Sequence, residues 1–213
     1  MVKADRLPVL LLGGGGHARV CFDLLQRQGY EVLGYVAPRP DSRWDRRTPY
    51  IGDDDTAMDR FPPERAAVVN GVGFLPGSSL RRELFCKWKE KGYSFVSLVH
   101  DSAIVSGGAR VEEGAQIMAG AVVQDSAVIG AGAIINTRAS IDHDCFVGEH
   151  AHVAPGAVVC GGVTIERGVF IGAGAVVVQG IRIGAGSVIG AGSLVLRDVP
   201  PGSKVFGIPA RGR

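Results

Sequence analysis

The chain has 213 residues, 46% of them hydrophobic, and a formal net charge of +2 at pH 7. That balance excludes a disordered chain and offers no basic footprint for nucleic acid. No apolar run approaches the roughly 18 residues of a membrane span, and the length suffices for one large domain or two small ones.

Met1 to Arg6 is not followed by the h-region of a signal peptide, because Pro8 and a glycine run cut the apolar stretch short. Cys21, Cys86, Cys145 and Cys160 have no CxxC spacing and read as reduced thiols, as expected in the cytoplasm. Leu7 to Leu12 predicts a strand. It runs into Gly13, Gly14, Gly15, Gly16 and His17, and Arg19 to Arg27 then has helical spacing, with Val20, Leu24 and Leu25 on one face. Strand, glycine turn and helix form a phosphate-binding arrangement, with free backbone N–H groups at a positive helix end. Gly13, Gly15 and Ala18 also satisfy the dinucleotide fingerprint GxGxxA. That reading needs an acid after the second strand, Glu31 to Val36, to hold a ribose. The chain there runs Ala37, Pro38, Arg39, Pro40, with no carboxylate before Asp41. A nucleotide-linked sugar is therefore favoured over a redox dinucleotide, with a tight turn holding no ligand as the bland alternative.

Arg39 to Arg47, which contains Pro40 and Trp44, reads as a polar, exposed loop suited to a lid. Tyr50 to Gly52 predicts a short strand. Asp53, Asp54 and Asp55 mark a helix start, whose positive end favours acids, ahead of a metal site. Ala67 to Asn70 predicts a buried strand, Ser78 to Lys91 a helix and Phe95 to Val99 a last strand. The alternation implies a small α/β domain over residues 1–98 with a Rossmann-like parallel sheet.

From Val99 the period changes. Aliphatic residues recur every six positions to Val195, through Val105, Val111 and Ile117, which makes seventeen hexads. Four places after most of them stands a small or β-branched residue, such as Ala115, Ala121, Cys145 or Val163. Six fits neither a helix nor plain alternation. A short strand, a glycine-tolerant corner and the next strand would use six residues for each side of a prism, with the aliphatic and small residues stacked inward. After Pro200 the repeat gives way to a tail, Pro201 to Arg211, of pattern PGxxxxGxPAR. One hexad departs from the bland pattern: Ile141, Asp142, His143, Asp144, Cys145, Phe146. An imidazole between two carboxylates can be held in one tautomer with its basicity raised, which suits a general base. An exposed corner histidine with no role is the alternative.

The hexads resemble those of the hexapeptide-repeat family, and the match sharpens at Asn136 and Thr137, at Ile141 to Cys145 and at Gly148 to Val153. With the strand–GGGGH–helix start and the PAR tail, the whole chain is similar to the nucleotide-sugar and sialic-acid acetyltransferase branch of that family, of the bacillosamine or perosamine 4-N-acetyltransferase type. The resemblance implies a left-handed parallel β-helix over residues 99–213, three hexads to a coil, capped by the C-terminal tail. It implies acetyl-CoA as co-substrate and a nucleotide-linked amino sugar as acceptor. It also implies a cytoplasmic homotrimer of polysaccharide biosynthesis, with clefts between neighbouring prisms and no nucleic-acid or membrane partner. By the same similarity His143 is the base and Asp144 orients it. Gly161, one coil of eighteen residues further on, then stacks over His143 and offers its N–H to the oxyanion. Asn136, His152, Gly161, Gly162, Lys204, Ile208 and Pro209 are the coenzyme-binding residues on this resemblance, and Gly13 to Gly16 with His17 hold the nucleotide. His143 and His152 are half a coil apart, so a shared site needs one from each of two chains.

Rival chemistries stay open at this point. O-acetylation of a sugar hydroxyl, as on sialic acid, would use the same base and coenzyme site. Zinc held by His143, His150 and His152 across a subunit interface is the metal alternative, although the glycine turn and the tail point away from it. A β-helical scaffold without chemistry explains the hexads but not His143, the turn and the tail together.

Overall fold

Aliphatic side chains fill β1 (Val9–Leu12) so completely that all four residues are buried, as in a parallel strand covered on both faces. With β2 (Val32–Val36), β3 (Tyr50–Gly52) and β4 (Ala67–Asn70) it forms an all-parallel sheet of order β3-β2-β1-β4. The chain leaves β1 towards β2 and β3 and returns on the other side to β4. The carboxyl ends of β1 and β4 therefore flank a switch point, where open parallel sheets bind ligands.

Helix α1 (Gly16–Arg27) buries Ala18, Cys21, Phe22, Leu24 and Leu25. Val20, expected on that face, is 52% exposed, since the apolar stripe runs through Ala18, Cys21 and Leu25 instead. In α2 (Asp54–Arg60) the acidic triplet acts as a cap and an ion-pair partner. Asp53 Oδ1 accepts the Thr56 N–H at 3.0 Å, and Lys87 Nζ reaches Asp54 at 3.0 Å and Asp55 at 3.2 Å. Helix α3 spans Leu80–Glu90, inside the expected Ser78 to Lys91.

This computed structural model describes residues 6–44 and 47–212, and the chain divides into two units after Val96. Phe95 to Val99 is not one strand. Phe95 bridges Val68 in the first unit, whereas Leu98 and Val99 pair with Gln116 and Ile117 in the second.

The second unit is a three-sided prism. Seventeen two-residue strands, β5 to β21, run from Leu98–Val99 to Leu194–Val195, and each of β5 to β18 pairs in parallel with the strand three further on. The ladders form faces of five, six and eight strands, the last including the tail. The second residue of each strand points inward, and from Ile117 to Val195 these residues are at most 1% exposed. Stacked against Ala121, Ala127, Cys145 and their equivalents, they form one continuous apolar core. Each such side chain contributes about 1.5–3 kcal/mol through burial. The tail continues the largest face: β22 (Lys204–Phe206) pairs in parallel with β20 (Val188–Ile189), and β23 (Arg211–Gly212) folds back on β22. Val199, Val205 and Ala210 pack on the last coil and close the core. No helix among the described residues is long and apolar enough to cross a membrane.

Candidate active site

His143 sits in the corner between β12 (Ser140–Ile141) and β13 (Phe146–Val147), where the inward Ile141 and Cys145 leave the side chains between them facing solvent. Its N–H donates to Asp142 Oδ1 at 2.8 Å, and its ring Nδ1 lies 2.7 Å from Asp144 Oδ2. An ionised carboxylate only accepts, so Nδ1 carries the proton and Nε2 presents a lone pair. The Asp144 hydrogen bond, and after it the charge of Asp142, raise the His143 pKa above its ordinary 6.5. Asp144 itself is in the left-handed region, at φ 56°, and its N–H donates to Asp125 O at 3.2 Å. Asp tolerates that region better than most residues, and the conformation turns its carboxylate to the imidazole.

Gly161 stacks over His143 as the eighteen-residue coil requires. A β carbon on Gly161 would lie 2.6 Å from His143 Nε2, and Gly162 N–H donates to His143 O at 2.9 Å. The Gly161 carbonyl accepts from Gly180 N–H, while its own N–H donates to no described residue. A lone pair and a free N–H therefore meet in one corner, the pairing that proton removal and oxyanion stabilisation need.

Asn136 and His152 form a second group. Asn136 Oδ1 accepts the Thr137 N–H at 2.7 Å, which turns its amide nitrogen to His152 Nε2 at 3.1 Å. His152, on β14 (His152–Val153), is 8% exposed and meets the Phe170 ring edge-on at 5.3 Å. It belongs to the eight-stranded face, whereas His143 lies in the turn between the six-stranded and five-stranded faces. One prism does not bring the two histidines together. Among the described residues no three His, Cys, Asp or Glu side chains gather as a metal site, so His143, His150 and His152 form none within one chain.

In the first unit Gly13 adopts φ 99°, and a β carbon there would lie 3.0 Å from Val72 Cγ2. Ala18 packs against Gly71, where a β carbon would come within 2.8 Å of it. Gly15 has open space beside it, so the backbone N–H groups at the start of α1 remain approachable. Asp41, the first acid after β2, grips Arg43 through both carboxylate oxygens, which holds its carboxyl well below the usual range. It is thereby occupied, in keeping with the missing ribose acid. A cavity of about 380 Å³ lies between Gly14 and Ala37 to Ser42.

Trp44 corrects the expectation of an exposed lid. It is 2% exposed, stacks on Tyr35 at 4.9 Å and donates its Nε1–H to Gly14 O at 2.8 Å. The loop thus braces the glycine turn; two of its residues, 45 and 46, lie outside the described residues. A brace from the other side has no counterpart in the sequence reading. The Arg81 guanidinium, buried in α3, donates to Asn70 O at 2.9 Å and Val72 O at 2.6 Å. Asn70 in turn accepts the Val72 N–H at 3.1 Å and donates to Arg81 O at 2.8 Å. This fixes the loop after β4, whose Gly73 faces His17: a β carbon on Gly73 would lie 3.5 Å from His17 Cβ. The signal available was Gly71-x-Gly73 directly after a buried strand.

In the tail, Lys204 is exposed on β22 and Ile208 is 77% exposed. Pro209 lines a cavity of about 620 Å³ with Val195 to Pro200 and Arg211. That cavity is the larger of the two but contains none of the His143 group; the chemistry argues for the corner and not for the volume.

The PglD N-terminal domain matches residues 8–88, and the bacterial transferase hexapeptide model (six repeats) matches residues 144–178 and 162–197. The acetyltransferase domain of PglB from Neisseria gonorrhoeae FA1090 is 31% identical, covering 98% of this chain and 100% of that one, with a TM-score of 0.91. PerB from Caulobacter crescentus, solved with CoA and GDP-perosamine, is 35% identical over 97% of each chain, with a TM-score of 0.87. WeeI from Acinetobacter baumannii AYE, at 23% identity and a TM-score of 0.84, shares the fold. The chain belongs to the hexapeptide-repeat acetyltransferases that carry a PglD N-terminal domain, and its prism is their left-handed parallel β-helix.

Proposed function

We propose that this acetyltransferase moves the acetyl group of acetyl-CoA to the amine, at C4, of a nucleotide-linked amino-deoxy sugar. The observation that carries the reading is the likeness to PerB with CoA and GDP-perosamine over nearly the full chain, joined to a histidine whose Nε2 is bare beside a free N–H. The neutral amine attacks the thioester carbonyl and forms the C–N bond. His143 Nε2 takes the amine proton, Asp144 holds Nδ1–H and supports the imidazolium, and the Gly161 N–H faces the developing oxyanion. Collapse breaks the C–S bond, and the imidazolium returns the proton to the leaving thiolate. Asn136, His152, Gly162, Lys204, Ile208 and Pro209 hold the coenzyme, and Gly13 to Gly16 with His17 hold the nucleotide.

The active form is a homotrimer. Placing His143 and His152 on different faces supports a cleft between neighbouring prisms, and Ile104, Phe146 and Val158 leave apolar surface exposed on two outer faces. Acetyl-CoA as donor and reduced cysteines support a cytoplasmic setting in polysaccharide biosynthesis. The test is thiol release from acetyl-CoA with GDP- and UDP-linked 4-amino-6-deoxy sugars, with sialic acid alongside. Turnover with an amino sugar is expected. Turnover with sialic acid alone would replace N- by O-acetylation, and turnover with none would remove the acceptor assignment.

A further inference from the structure

Most corners of the prism that need a left-handed residue use glycine, because a β carbon crowds the backbone there. Four residues with side chains take up that conformation: Ser126 at φ 61°, Arg138 and Asp144 at 56°, and His150 at 54°. Arg138, Asp144 and His150 are the three successive corners of one coil, the coil that carries Asn136 and His143. One coil either way, the place of Arg138 is taken by Gly120 at φ 67° and Gly156 at φ 68°. Asp144 has an evident reason to be there, because its carboxylate holds His143. Arg is not among the residues enriched in this region, so its retention needs a reason of its own.

The guanidinium supplies no internal one. It is exposed and makes no hydrogen bond or ion pair with any described residue. Its stem leans over the coil below, where a β carbon on Gly120 would come within 3.2 Å of Arg138 Cγ. Glycine at 120 therefore leaves room for the side chain. Arg138 also follows Asn136 by two residues, and Asn136 is the residue that faces His152. A strained, unpaired cation thus follows Asn136 by two residues on the coil that also carries His143.

We infer that Arg138 is an anion-binding residue of the co-substrate site, its guanidinium taking a phosphoryl group of coenzyme A or of the nucleotide diphosphate. The inference rests on the reading that those two molecules are the co-substrates. The planar fork matches phosphate oxygens in a bidentate way that lysine cannot reproduce. With no protein acid competing, that fork is open to a ligand.

The substitution that deletes the side chain also relieves the backbone, which separates function from structure. Arg138→Gly should melt no lower than the parent. In calorimetric titrations with coenzyme A, GDP and UDP it should weaken at least one ligand about tenfold or more, the scale of a hydrogen bond to a charged group. Arg138→Lys should lose less. Loss confined to coenzyme A identifies its phosphates as the anion, and loss confined to GDP or UDP identifies the nucleotide diphosphate. Equal affinities for all three ligands in parent and Arg138→Gly overturn the inference and leave the reaction reading intact. A general loss with a lower melting temperature assigns a structural role and also overturns it. A parent protein that binds none of the three overturns the reading of the reaction as well.

Discussion

Nε2 of His143 and the α carbon of Gly161 are so close that the hydrogen on glycine is the largest substituent the corner accepts. A β carbon would stand 2.6 Å from Nε2 and 2.7 Å from Cε1. Glycine at 161 is therefore needed to keep the imidazole in this position, not for backbone conformation. Its absent side chain lets the Nε2–Cε1 edge of the imidazole approach the coil above.

Gly161→Ala should accordingly act on chemistry and spare the fold. The His143 ring is solvent-exposed, so it gives way before the backbone does. A displaced base is expected to lower kcat by about 10²-fold, with a melting temperature within about 2 °C of the parent. Thiol-release kinetics and a thermal melt on the same sample check both. An unchanged kcat would show that Nε2 needs no contact with the corner above.

Asp144→Asn tests the pair from the other side, through pH. The Asp144 hydrogen bond is the first cause of the raised His143 pKa, with Asp142 next. The neutral imidazole is the working base, so kcat/KM in the parent should rise with pH through an apparent pKa above 6.5. Removing the carboxylate lowers that pKa, so the acid limb should move to lower pH while the plateau falls roughly tenfold or more. The stability linkage has the opposite sense. A raised folded-state pKa stabilises below the unfolded value, and that contribution disappears as pH climbs through the folded one. Because both side chains are largely exposed, melting should change little. A limb that stays in place in the variant would assign the titration to another group.

The hexads made the prism legible because every coil repeats one inward pattern, and a period of six has few structural solutions. The stacking of Gly161 on His143 followed from counting eighteen residues. Arg138, Asp144 and His150 were equally legible in principle, since they interrupt the three corner columns in which Gly120 and Gly156, Gly162, and Gly132 and Gly168 stand one coil away. Trp44 was not. A polar stretch opened by a proline reads as surface, and only the tertiary position of Tyr35 and Gly14 draws the indole inward. Arg81 escaped for a related reason. An arginine in a helix reads as solvated unless the carbonyls that receive it are known.

Trp44→Phe keeps a ring on Tyr35 and deletes the hydrogen bond to Gly14 O. Loss of one such bond costs about 1 kcal/mol, which for a chain of this size lowers melting by about 2–4 °C. Because the freed carbonyl belongs to the glycine turn, the KM for the nucleotide sugar should rise while that for acetyl-CoA stays level. Equal changes in both would mean that the turn takes no part in holding the nucleotide.

Arg81→Met removes the charge that ties α3 to the loop after β4. Arg81 is 4% exposed, and burial lowers its pKa to about 10, which still leaves it protonated at neutral pH. Its Nη1 serves the carbonyls of Asn70 and Val72 together, and methionine fills the stem's volume while removing that shared donor. The expected cost is about 1–3 kcal/mol, or a melting temperature lower by roughly 2–12 °C. Stability alone would not distinguish a brace for the site from ordinary packing. The distinguishing quantity is the split between substrates, because the loop being held is the one whose Gly73 faces His17. A several-fold rise in KM for the nucleotide sugar, with kcat and the KM for acetyl-CoA unchanged, is the result expected of a brace. Arg81→Lys, which keeps a donor and the charge, should recover part of that KM. If it restores the melting temperature and leaves KM raised, the fork geometry shapes the loop; if KM never moves, the loop stands clear of the nucleotide.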